Sequence, residues 1–422
     1  MVDKRRSVVL ADVDSMYVSA ERIFNVGLNR RPVVVLSNND GCVVARSKEA
    51  KALEIGMGEP WFKVRTRPSC RDVVALSSNY ELYGDFSSRL ATLCGQLAPR
   101  VEPYSIDECF LEFPAGEALD AAVCARERSA RWLGLPVTVG IGRTKTLAKI
   151  ATNHAKDSGI GVFSIDALSR AERAELLASI PVGEVWGIGG RLSARLAAHG
   201  VTTAKALADL DPGWVRRAYT IVVERTVREL QGVSCIPLTE QPAPRRSIMH
   251  CRHLGQPATK QDEVAAAASA FAQAVSAKLR RLDLAVPAVT VMLSTGGFGT
   301  GPPHHAQATQ GFPVPLNAAG QLATTAARLA RGAWRPGHRY KRVGVLASDL
   351  VQARRAQSLW PDDPRHDKLA AVLDTITARH GRDLAGYGRS GIRGPSGWDW
   401  RMRQEMRTPR FTTRWDELPV VS

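Results

Sequence analysis

Residues 7–14 of the chain read Ser-Val-Val-Leu-Ala-Asp-Val-Asp, an apolar run that ends in two carboxylates. The run from Ser7 to Val13 is mostly Val and Leu, which predicts a buried β-strand. Side chains alternate along a strand, so Asp12 and Asp14 should lie on the same side of it. The sequence therefore predicts a core strand that presents an acidic pair at its end.

A second acidic cluster, Ser105-Ile106-Asp107-Glu108, lies on strand material predicted between Val101 and Glu112. Carboxylates from two strand ends are hard oxygen ligands suited to Mg²⁺. Two such ions about 3.5–4 Å apart would assist the attacking and the leaving oxygen in phosphoryl transfer. Adjacent strand residues point to opposite faces, so Asp107 and Glu108 reach one metal pair only if the chain turns there. Solvated strand-end acids are the alternative for either cluster alone.

Two other kinds of site are disfavoured by the sequence. Asp-x-Asp after a first strand also matches phosphatases of the haloacid-dehalogenase type, but that pattern requires Thr or Val where Met16 stands. It also requires a later aspartate pair, and Asp362-Asp363 lies in a proline-bounded polar stretch. The groups His250-Cys251-Arg252-His253 and His304-His305 lack a second ligand pair at structural spacing, so we predict that they hold no zinc.

The pattern of elements predicts an α+β multidomain protein. Strands and helices interleave in the first part of the chain, as in a split βαβ arrangement, and from Leu168 the pattern is helical. Residues 236–247 contain three prolines and indicate a linker. A second, smaller α+β domain follows. Its predicted elements are helices over Asp262–Leu282 and Leu316–Trp334 and strands over Ala288–Ser294 and Lys341–Leu350.

The charge is unevenly distributed over the 422 residues, which carry a net charge of +16. Residues 241–422 hold 26 basic and 13 acidic side chains, whereas the first 240 residues hold 31 and 28. A basic module beside a near-neutral one indicates a polyanionic partner, most simply nucleic acid. The alternative is a solvated basic surface without a partner.

Composition also bears on the cellular compartment. No apolar run approaches the roughly 18 residues of a membrane span, and the apolar stretch behind the basic N-terminus covers only Val8 to Ala11. A signal peptide needs an apolar region of about 7–15 residues. Seven cysteines at irregular spacings fit reduced thiols. We therefore expect a cytoplasmic protein.

Two further patterns could bind phosphate. Gly187-Ile188-Gly189-Gly190 stands between helical stretches, as in a helix-hairpin-helix whose backbone N–H groups approach a phosphate, although a plain turn also fits. Lysines on two predicted helices could hold a triphosphate, although solvated helix faces explain most such lysines. They are Lys48, Lys51, Lys145, Lys149 and Lys156.

Six motifs occur along the chain in a recognisable order. They are Asp12-Val13-Asp14 with Tyr17, the run 37–46 (Ser-Asn-Asn-Asp-Gly-Cys-Val-Val-Ala-Arg), Ser78-Asn79-Tyr80-Glu81-Leu82-Tyr83, Tyr104-Ser105-Ile106-Asp107-Glu108, Thr144-Lys145-Thr146-Leu147-Ala148-Lys149 and Trp186-Gly187-Ile188-Gly189. Together they closely resemble the UmuC-type members of the Y-family DNA polymerases. The resemblance spans nearly the whole chain, including Gly337-His338-Arg339-Tyr340 and residues 408–414 (Thr-Pro-Arg-Phe-Thr-Thr-Arg).

The resemblance implies the right-hand fold of Y-family polymerases without a proofreading exonuclease. By this resemblance, a ferredoxin-like palm covers residues 1–19 and 78–166, and small fingers cover 20–77. A helical thumb with the helix-hairpin-helix covers 167–235, followed by the linker 236–247. An α+β little finger covers 248–350, and a C-terminal extension covers 351–422.

The resemblance also assigns site residues. Asp12, Asp107 and Glu108 match the catalytic carboxylates that hold two Mg²⁺ ions, with the Val13 carbonyl as a further ligand, whereas Asp14 matches a position that is not normally a ligand. Tyr17 falls at the steric gate that excludes a 2′-hydroxyl. Lys48, Lys51 and Lys156 fall where the family binds triphosphate, although many relatives have Tyr at position 48. Gly187, Gly189 and Gly190 correspond to the DNA-contacting hairpin, and Cys109 stands where a small residue is usual.

The implied activity is template-directed, low-fidelity synthesis from dNTPs on primer-template DNA in the SOS response to DNA damage. The implied partners are a processed UmuD dimer, RecA and a sliding clamp. The nearest clamp-binding peptide is Ala356-Gln357-Ser358-Leu359-Trp360, where Leu359 and Trp360 would fill the apolar pocket but the Gln is displaced by one position. The alternative is a catalytically silent DNA-binding accessory protein, which the retained acids Asp12, Asp107 and Glu108 disfavour.

Overall fold

A computed structural model describes residues 6–114, 116–240, 244–296, 303–353, 364–380 and 404–419. The chain divides into two compact units. Unit 1 comprises Met1–Pro242 together with Glu405–Ser422, and unit 2 comprises Ala243–Gln404. None of the described helices combines the length and the apolar character needed to span a membrane.

Unit 1 is built from two sheets and a group of helices. Its described strands are β1 (Arg6–Val13), β2 (Val33–Leu36), β3 (Val43–Arg46), β4 (Val74–Ser77), β5 (Arg100–Pro103), β6 (Glu108–Pro114), β7 (Val137–Gly142) and β8 (Val162–Ser164). Its described α-helices are α1 (Met16–Phe24), α2 (Lys48–Ala52), α3 (Trp61–Val64), α4 (Tyr80–Leu97), α5 (Ala118–Arg128), α6 (Lys145–Ser158), α7 (Arg170–Ser179), α8 (Gly190–Ala197), α9 (Ala204–Ala208), α10 (Pro212–Ala218) and α11 (Ile221–Leu230).

The larger sheet of unit 1 has the strand order β5-β6-β1-β7-β8. Strand β1 lies at its centre and runs antiparallel to both β6 and β7. The succession β1-α4-β5-β6-α5-β7, with β1 between β6 and β7, is the ferredoxin-like arrangement. Because β1 is covered on both faces, its Val and Leu side chains are buried without a polar alternation.

Helix α6 packs unusually close to β7 because β7 carries two glycines. A Cβ on Gly140 would stand 2.2 Å from the backbone nitrogen of Thr152, and one on Gly142 would stand 2.8 Å from that of Ala148. Only glycine permits this approach of helix to strand. The close packing fixes the height of α6 over the sheet, and with it the positions of the lysines on α6.

The smaller sheet of unit 1 has the order β3-β2-β4, with β2 antiparallel to β3 and parallel to β4. It buries a separate apolar cluster that includes Val34, Leu36 and Ile55. Helices α7 to α11 form a further apolar cluster of their own with part of α6. Unit 1 therefore has distinct cores beneath its larger sheet, its smaller sheet and its helical part.

Unit 2 is a five-stranded antiparallel sheet with helices on one face. Its described elements are β9 (Ser247–Ala258), α12 (Gln261–Arg281), β10 (Leu284–Ser294), β11 (His305–Leu316), α13 (Ala319–Ala333), β12 (Tyr340–Ser348), β13 (Val351–Gln352) and α14 (Pro364–His380). The strand order is β11-β10-β12-β9, and β13 pairs with the start of β10. Helices α12 and α13 bury the apolar side of the sheet, and Arg280 of α12 pairs with Asp374 of α14 at 2.6 Å.

The structure confirms most predicted elements and corrects some. The first strand, the predicted helix that carries Lys149 and Lys156, and the alternating helices and strands of unit 2 are present, but the helix predicted from Leu316 begins at Ala319 because Leu316 ends β11. Strands β9 and β11 were not predicted, because their sequences contain polar, Gly and Pro residues and few β-branched residues. The predicted helix that carries Lys48 and Lys51 is short, Lys48–Ala52, since Arg46 still belongs to β3.

Candidate active site

The two acids of the first strand lie together at the end of β1. In strand register Asp12 faces Glu108 on β6 and Thr138 on β7, and its side chain is almost buried, with 7% of its surface exposed. The Thr138 hydroxyl donates to both carboxylate oxygens of Asp14 at 3.0 Å. One ammonium, that of Lys156, lies 2.5 Å from Asp12 Oδ1 and 3.9 Å from Asp14 Oδ1. The two carboxylates therefore share one side of the strand, as the alternation predicts.

The second acidic cluster reaches the same place because the chain turns between β5 and β6. The backbone N–H groups of Tyr104 and Ser105 both donate to the Glu108 carbonyl, at 3.0 and 3.2 Å. The N–H of Val13 donates to the Asp107 carbonyl at 2.9 Å, which ties the turn to the end of β1. The Ser105 hydroxyl donates to Asp107 Oδ1 at 2.5 Å. The turn that adjacent acids require is thus present.

Two lysines of α6 neutralise these carboxylates. Lys156 pairs with Asp12, and Lys149 pairs with Glu108 at 2.6 Å. Lys149 also lies over the rings of Tyr104 and Trp186, at 5.1 and 5.8 Å from their centroids. Such cation–π contacts help to hold an ammonium group in place.

Lys145 has a different environment from the other lysines of α6. It is only 2% exposed, pairs with Glu102 and donates to the Pro237 carbonyl at 2.9 Å. A buried ion pair with these partners is part of the folded core. The prediction that groups Lys145 with solvated or triphosphate-holding lysines is wrong for this residue.

The electrostatics of the cluster favour a bound cation. The pKa of Asp12 is raised to about 7: burial and the nearby carboxylates of Glu108 and Asp107 raise it, and Lys156 partly opposes them. Acids held this close resist simultaneous ionisation unless a positive charge lies between them. The donor set of three carboxylates and a nearby backbone carbonyl is the hard oxygen set that Mg²⁺ prefers.

The carboxylates of this cluster are paired with lysines rather than gathered around a common point. Within the described ranges, no three Asp, Glu, His or Cys side chains are arranged around one point to hold an ion. The ammonium groups of Lys149 and Lys156 contact carboxylates where an ion would bind. The residue types fit Mg²⁺.

Tyr17 lies next to the acids, in the first turn of α1. Ser15, with a φ of +48°, makes the sharp connection from β1 to this helix. The Tyr17 ring stacks on Tyr83 with centroids 4.3 Å apart and an interplanar angle of 13°. The ring of Tyr80 meets it edge-on at 6.0 Å. Burial, Tyr80 and Asp107 all raise the pKa of Tyr17, so the ring is close to the acidic turn.

The other predicted phosphate contacts are exposed. Lys48 and Lys51 lie on α2, and the Ser15 hydroxyl donates to the Arg46 carbonyl at 3.0 Å. That bond places the start of α2 beside the end of β1. In the helical part, Gly187 has a φ of +88° and precedes α8, with Gly189 and Gly190 exposed at its first turn. Leu359 and Trp360 lie outside the described residues.

The sequence assigns no role to Thr138 or Tyr83, and it groups Lys149 only with lysines that could hold a triphosphate. Lys149 has an ion pair with Glu108, Thr138 holds Asp14, and Tyr83 supports the Tyr17 ring. Tyr83 belongs to a motif visible in the sequence, but its role depends on a stacking partner far away in the chain. The role of Thr138 depends on the pairing of β7 with β1, which the sequence pattern does not predict.

Comparison with known proteins agrees with this architecture. The model of the impB/mucB/samB family matches residues 11–153, and the C-terminal domain of that family matches residues 245–359. The HHH motif of the IMS family matches residues 170–201, which include the three glycines. A domain of unknown function, DUF4113, matches residues 367–421.

Relatives are similar over the full length of the chain. It is 37% identical to Protein ImpB of Salmonella typhimurium, over 98% of this chain and 99% of that protein. It is 38% identical to Protein UmuC of Salmonella typhimurium strain LT2, over 97% of this chain and 98% of that protein. Among solved structures, a chimeric Y-family DNA polymerase matches with a TM-score of 0.66 at 18% identity, over 82% of this chain and 99% of that one.

Proposed function

Because the chain belongs to the family of UmuC, ImpB, SamB and MucB, which are Y-family translesion DNA polymerases, we propose that Asp12, Asp107 and Glu108 are its catalytic carboxylates. One observation carries this proposal. Asp12 and Glu108 face each other across paired strands, and a backbone hydrogen bond ties Asp107 to the same strand end. Primer extension with Mg²⁺ and dNTPs tests it, and a protein that binds DNA without extending it would instead be an accessory protein.

The carboxylates and the Val13 carbonyl would hold two Mg²⁺ ions. Bound there, the ions would lower the pKa of the primer 3′-hydroxyl and stabilise the pyrophosphate that leaves. The chain's own contribution is to position reactants and to neutralise charge. Lys156 would leave its ion pair with Asp12 and contact an oxygen of the triphosphate. Lys48 and Lys51, which are exposed on α2, would bind other oxygens of the triphosphate.

Tyr17 would select the sugar of the incoming nucleotide. Its ring is held by Tyr80 and Tyr83 beside the acidic turn, so it cannot easily swing aside. A deoxyribose fits over a fixed ring, whereas a 2′-hydroxyl adds bulk that meets it. Selection for dNTPs would follow because Tyr80 and Tyr83 hold the Tyr17 ring in place.

Unit 2 would bind primer-template DNA through the open face of its sheet. Helices cover the side of β12 that bears Val343 and Val345, so by alternation Arg342 lies on the opposite side, where it is exposed. Contacts to phosphate fix the position of the duplex without reading its sequence. The exposed backbone at Gly187, Gly189 and Gly190 would add phosphate contacts from the helix-hairpin-helix.

Arg342→Glu should weaken primer-template binding and make it less sensitive to salt. Each phosphate contact that is lost removes about 0.9 from the slope of log K against log[salt] on duplex DNA. Binding measured by fluorescence anisotropy across a salt series checks this. Arg331→Glu is the matched control, because Arg331 lies on α13 and pairs with Asp262. Equal affinity and slope in Arg342→Glu and wild type would contradict this placement of the DNA.

A sliding clamp would bind Leu359 and Trp360 by resemblance. If these residues are the anchor, replacing both with Ala should abolish the stimulation of synthesis by the clamp and leave basal extension unchanged. The measurement compares extension with and without clamp for the double variant and for Gln357→Ala. Undiminished stimulation of the double variant would show that the anchor lies elsewhere.

The remaining partners also rest on the resemblance. A processed UmuD dimer and RecA would join the polymerase when the SOS response is induced. Action on the bacterial chromosome would place the chain in the cytoplasm. Co-purification of the chain with each candidate partner tests these expectations.

A further inference from the structure

The C-terminal segment Glu405–Pro419, called here the tail, packs against the N-terminal part of unit 1. Met406 and Ser77, the last residue of β4, exchange two hydrogen bonds: the Ser77 N–H donates to the Met406 carbonyl at 3.1 Å, and the Met406 N–H donates to Ser77 Oγ at 3.0 Å. Five residues later, Phe411 stacks on Phe24 of α1 with centroids 4.4 Å apart. Arg410 pairs with Glu417 within the tail, with Nε 2.9 Å from Oε1. The tail is therefore an ordered, internally braced part of this unit.

The tail is hydrogen-bonded to Asn79, at the start of α4. Asn79 caps that helix by accepting the Leu82 N–H through Oδ1. Its amide nitrogen donates to three oxygens of the tail: the carbonyl of Thr408 at 3.2 Å, the Thr408 hydroxyl at 3.1 Å and the Pro409 carbonyl at 3.1 Å. Asn79 is only 1% exposed, so it cannot replace these partners with bulk water.

A buried carboxylate links the tail to the aromatic group. Glu21 of α1 is 1% exposed, and its Oε1 accepts hydroxyl donors from both Tyr83, at 2.7 Å, and Thr408, at 3.1 Å. These donors offset part of the cost of burying the carboxyl group, whose Oε2 has no hydrogen-bond partner among the described residues. Tyr83 is completely buried and stacks on Tyr17.

Contacts therefore run without interruption from the tail to Tyr17. They pass through Thr408, Glu21 and Tyr83, and in parallel through Asn79 and the start of α4. That helix carries both Tyr80 and Tyr83, the two rings that touch Tyr17. Both rings that contact Tyr17 therefore stand on the helix whose N-cap residue, Asn79, is hydrogen-bonded to the tail.

We propose that the tail is a positioning element for sugar selection, which holds Tyr17 rigid through Glu21, Tyr83 and Asn79. This inference rests on the proposed role of Tyr17 as the gate. It assigns a function to the end of the segment that matches a domain of unknown function. The residues of the tail do not touch the reacting atoms and act only through the aromatic group.

Thr408→Val in the full-length protein is the primary test. It keeps the shape of the side chain and removes the hydroxyl that reaches Glu21. We expect the preference for dNTP over rNTP in single-nucleotide incorporation to fall by about three- to tenfold, the equivalent of one lost hydrogen bond. Thr408→Ser, which restores the hydroxyl, should restore the preference. A merely destabilised protein would instead lose both incorporations equally.

Asn79→Ser provides a second, independent variant. Serine still caps α4 but lacks the amide nitrogen that donates to the tail, so the preference should fall again. Trp415→Ala is the control within the tail, since that side chain is 90% exposed and should not matter. In the Tyr17→Ala background, Thr408→Val should produce no additional change, because the tail acts through that ring.

The outcomes separate the two proposals. If Tyr17→Ala leaves sugar preference unchanged, the gate assignment fails and the role of the tail fails with it. If Tyr17→Ala relaxes the preference while Thr408→Val and Asn79→Ser behave like wild type, only the role of the tail is overturned. An additional loss from Thr408→Val in the Tyr17→Ala background would also overturn it.

Discussion

Asp107→Ala should reduce nucleotide incorporation by at least about a thousandfold, a loss of about 4 kcal/mol of transition-state stabilisation. The reason is local. Asp107 is bound to β1 through its backbone carbonyl, which accepts the Val13 N–H, and an Ala side chain leaves this bond intact. The hairpin turn should therefore persist, although the hydrogen bond from the Ser105 hydroxyl is lost together with the carboxylate ligand. Single-turnover primer extension with Mg²⁺ measures the loss.

Binding of primer-template DNA by Asp107→Ala should be undiminished. Removing a negative charge near a phosphate backbone cannot weaken attraction to it, and a slight gain in affinity is expected. Asp14→Asn is the matched control, since it keeps an oxygen that accepts the Thr138 hydroxyl and should retain activity within about tenfold, or roughly 1.4 kcal/mol. Full activity of Asp107→Ala would refute the assignment of the carboxylates, and so would weak DNA binding by a folded variant.

The acidic end of β1 was predictable because short-range rules determine it. The alternation of side chains along a strand places Asp12 and Asp14 on the same side. Asp107 and Glu108 are adjacent, so their carboxylates can reach one site only if the chain turns there. Both features are present in the structure. These short-range rules do not determine the register between strands. In the structure, that register places Glu108 opposite Asp12.

The tail was not predictable from local pattern. Its contacts with Asn79 and Glu21 join residues more than 300 positions apart, and neither Thr408 nor Phe411 stands in a periodic apolar run. Similarly, a lysine on α6 looks the same in sequence whether it ends up exposed or buried. Only packing distinguishes Lys145, which pairs with Glu102 in the core, from Lys156, which reaches Asp12.

Tyr17→Ala should relax discrimination against ribonucleotides by about ten- to a hundredfold. Forcing extra bulk against a well-packed group costs about 1–3 kcal/mol, and each 1.4 kcal/mol is about tenfold in rate. The ring of Tyr17 cannot avoid that cost by rotating, because Tyr83 lies flat against it and Tyr80 closes its edge. Truncation to Ala removes the bulk and hence the penalty. Ratios of kcat/KM for dNTP and rNTP, measured opposite the same template base, report the change.

Tyr17→Phe is the control that separates bulk from hydrogen bonding. Phenylalanine keeps the ring and its stacking on Tyr83 but lacks the hydroxyl, so a steric gate should still exclude ribonucleotides in this variant. If discrimination instead disappears in Tyr17→Phe, selection depends on the hydroxyl, and the rigidity of the aromatic group is not the cause. If it survives in Tyr17→Ala, the ring does not lie beneath the sugar. The steric mechanism thus requires that Tyr17→Ala relaxes discrimination against ribonucleotides and that Tyr17→Phe retains it. A general loss of catalysis would lower the incorporation of dNTP and rNTP together and would leave their ratio unchanged.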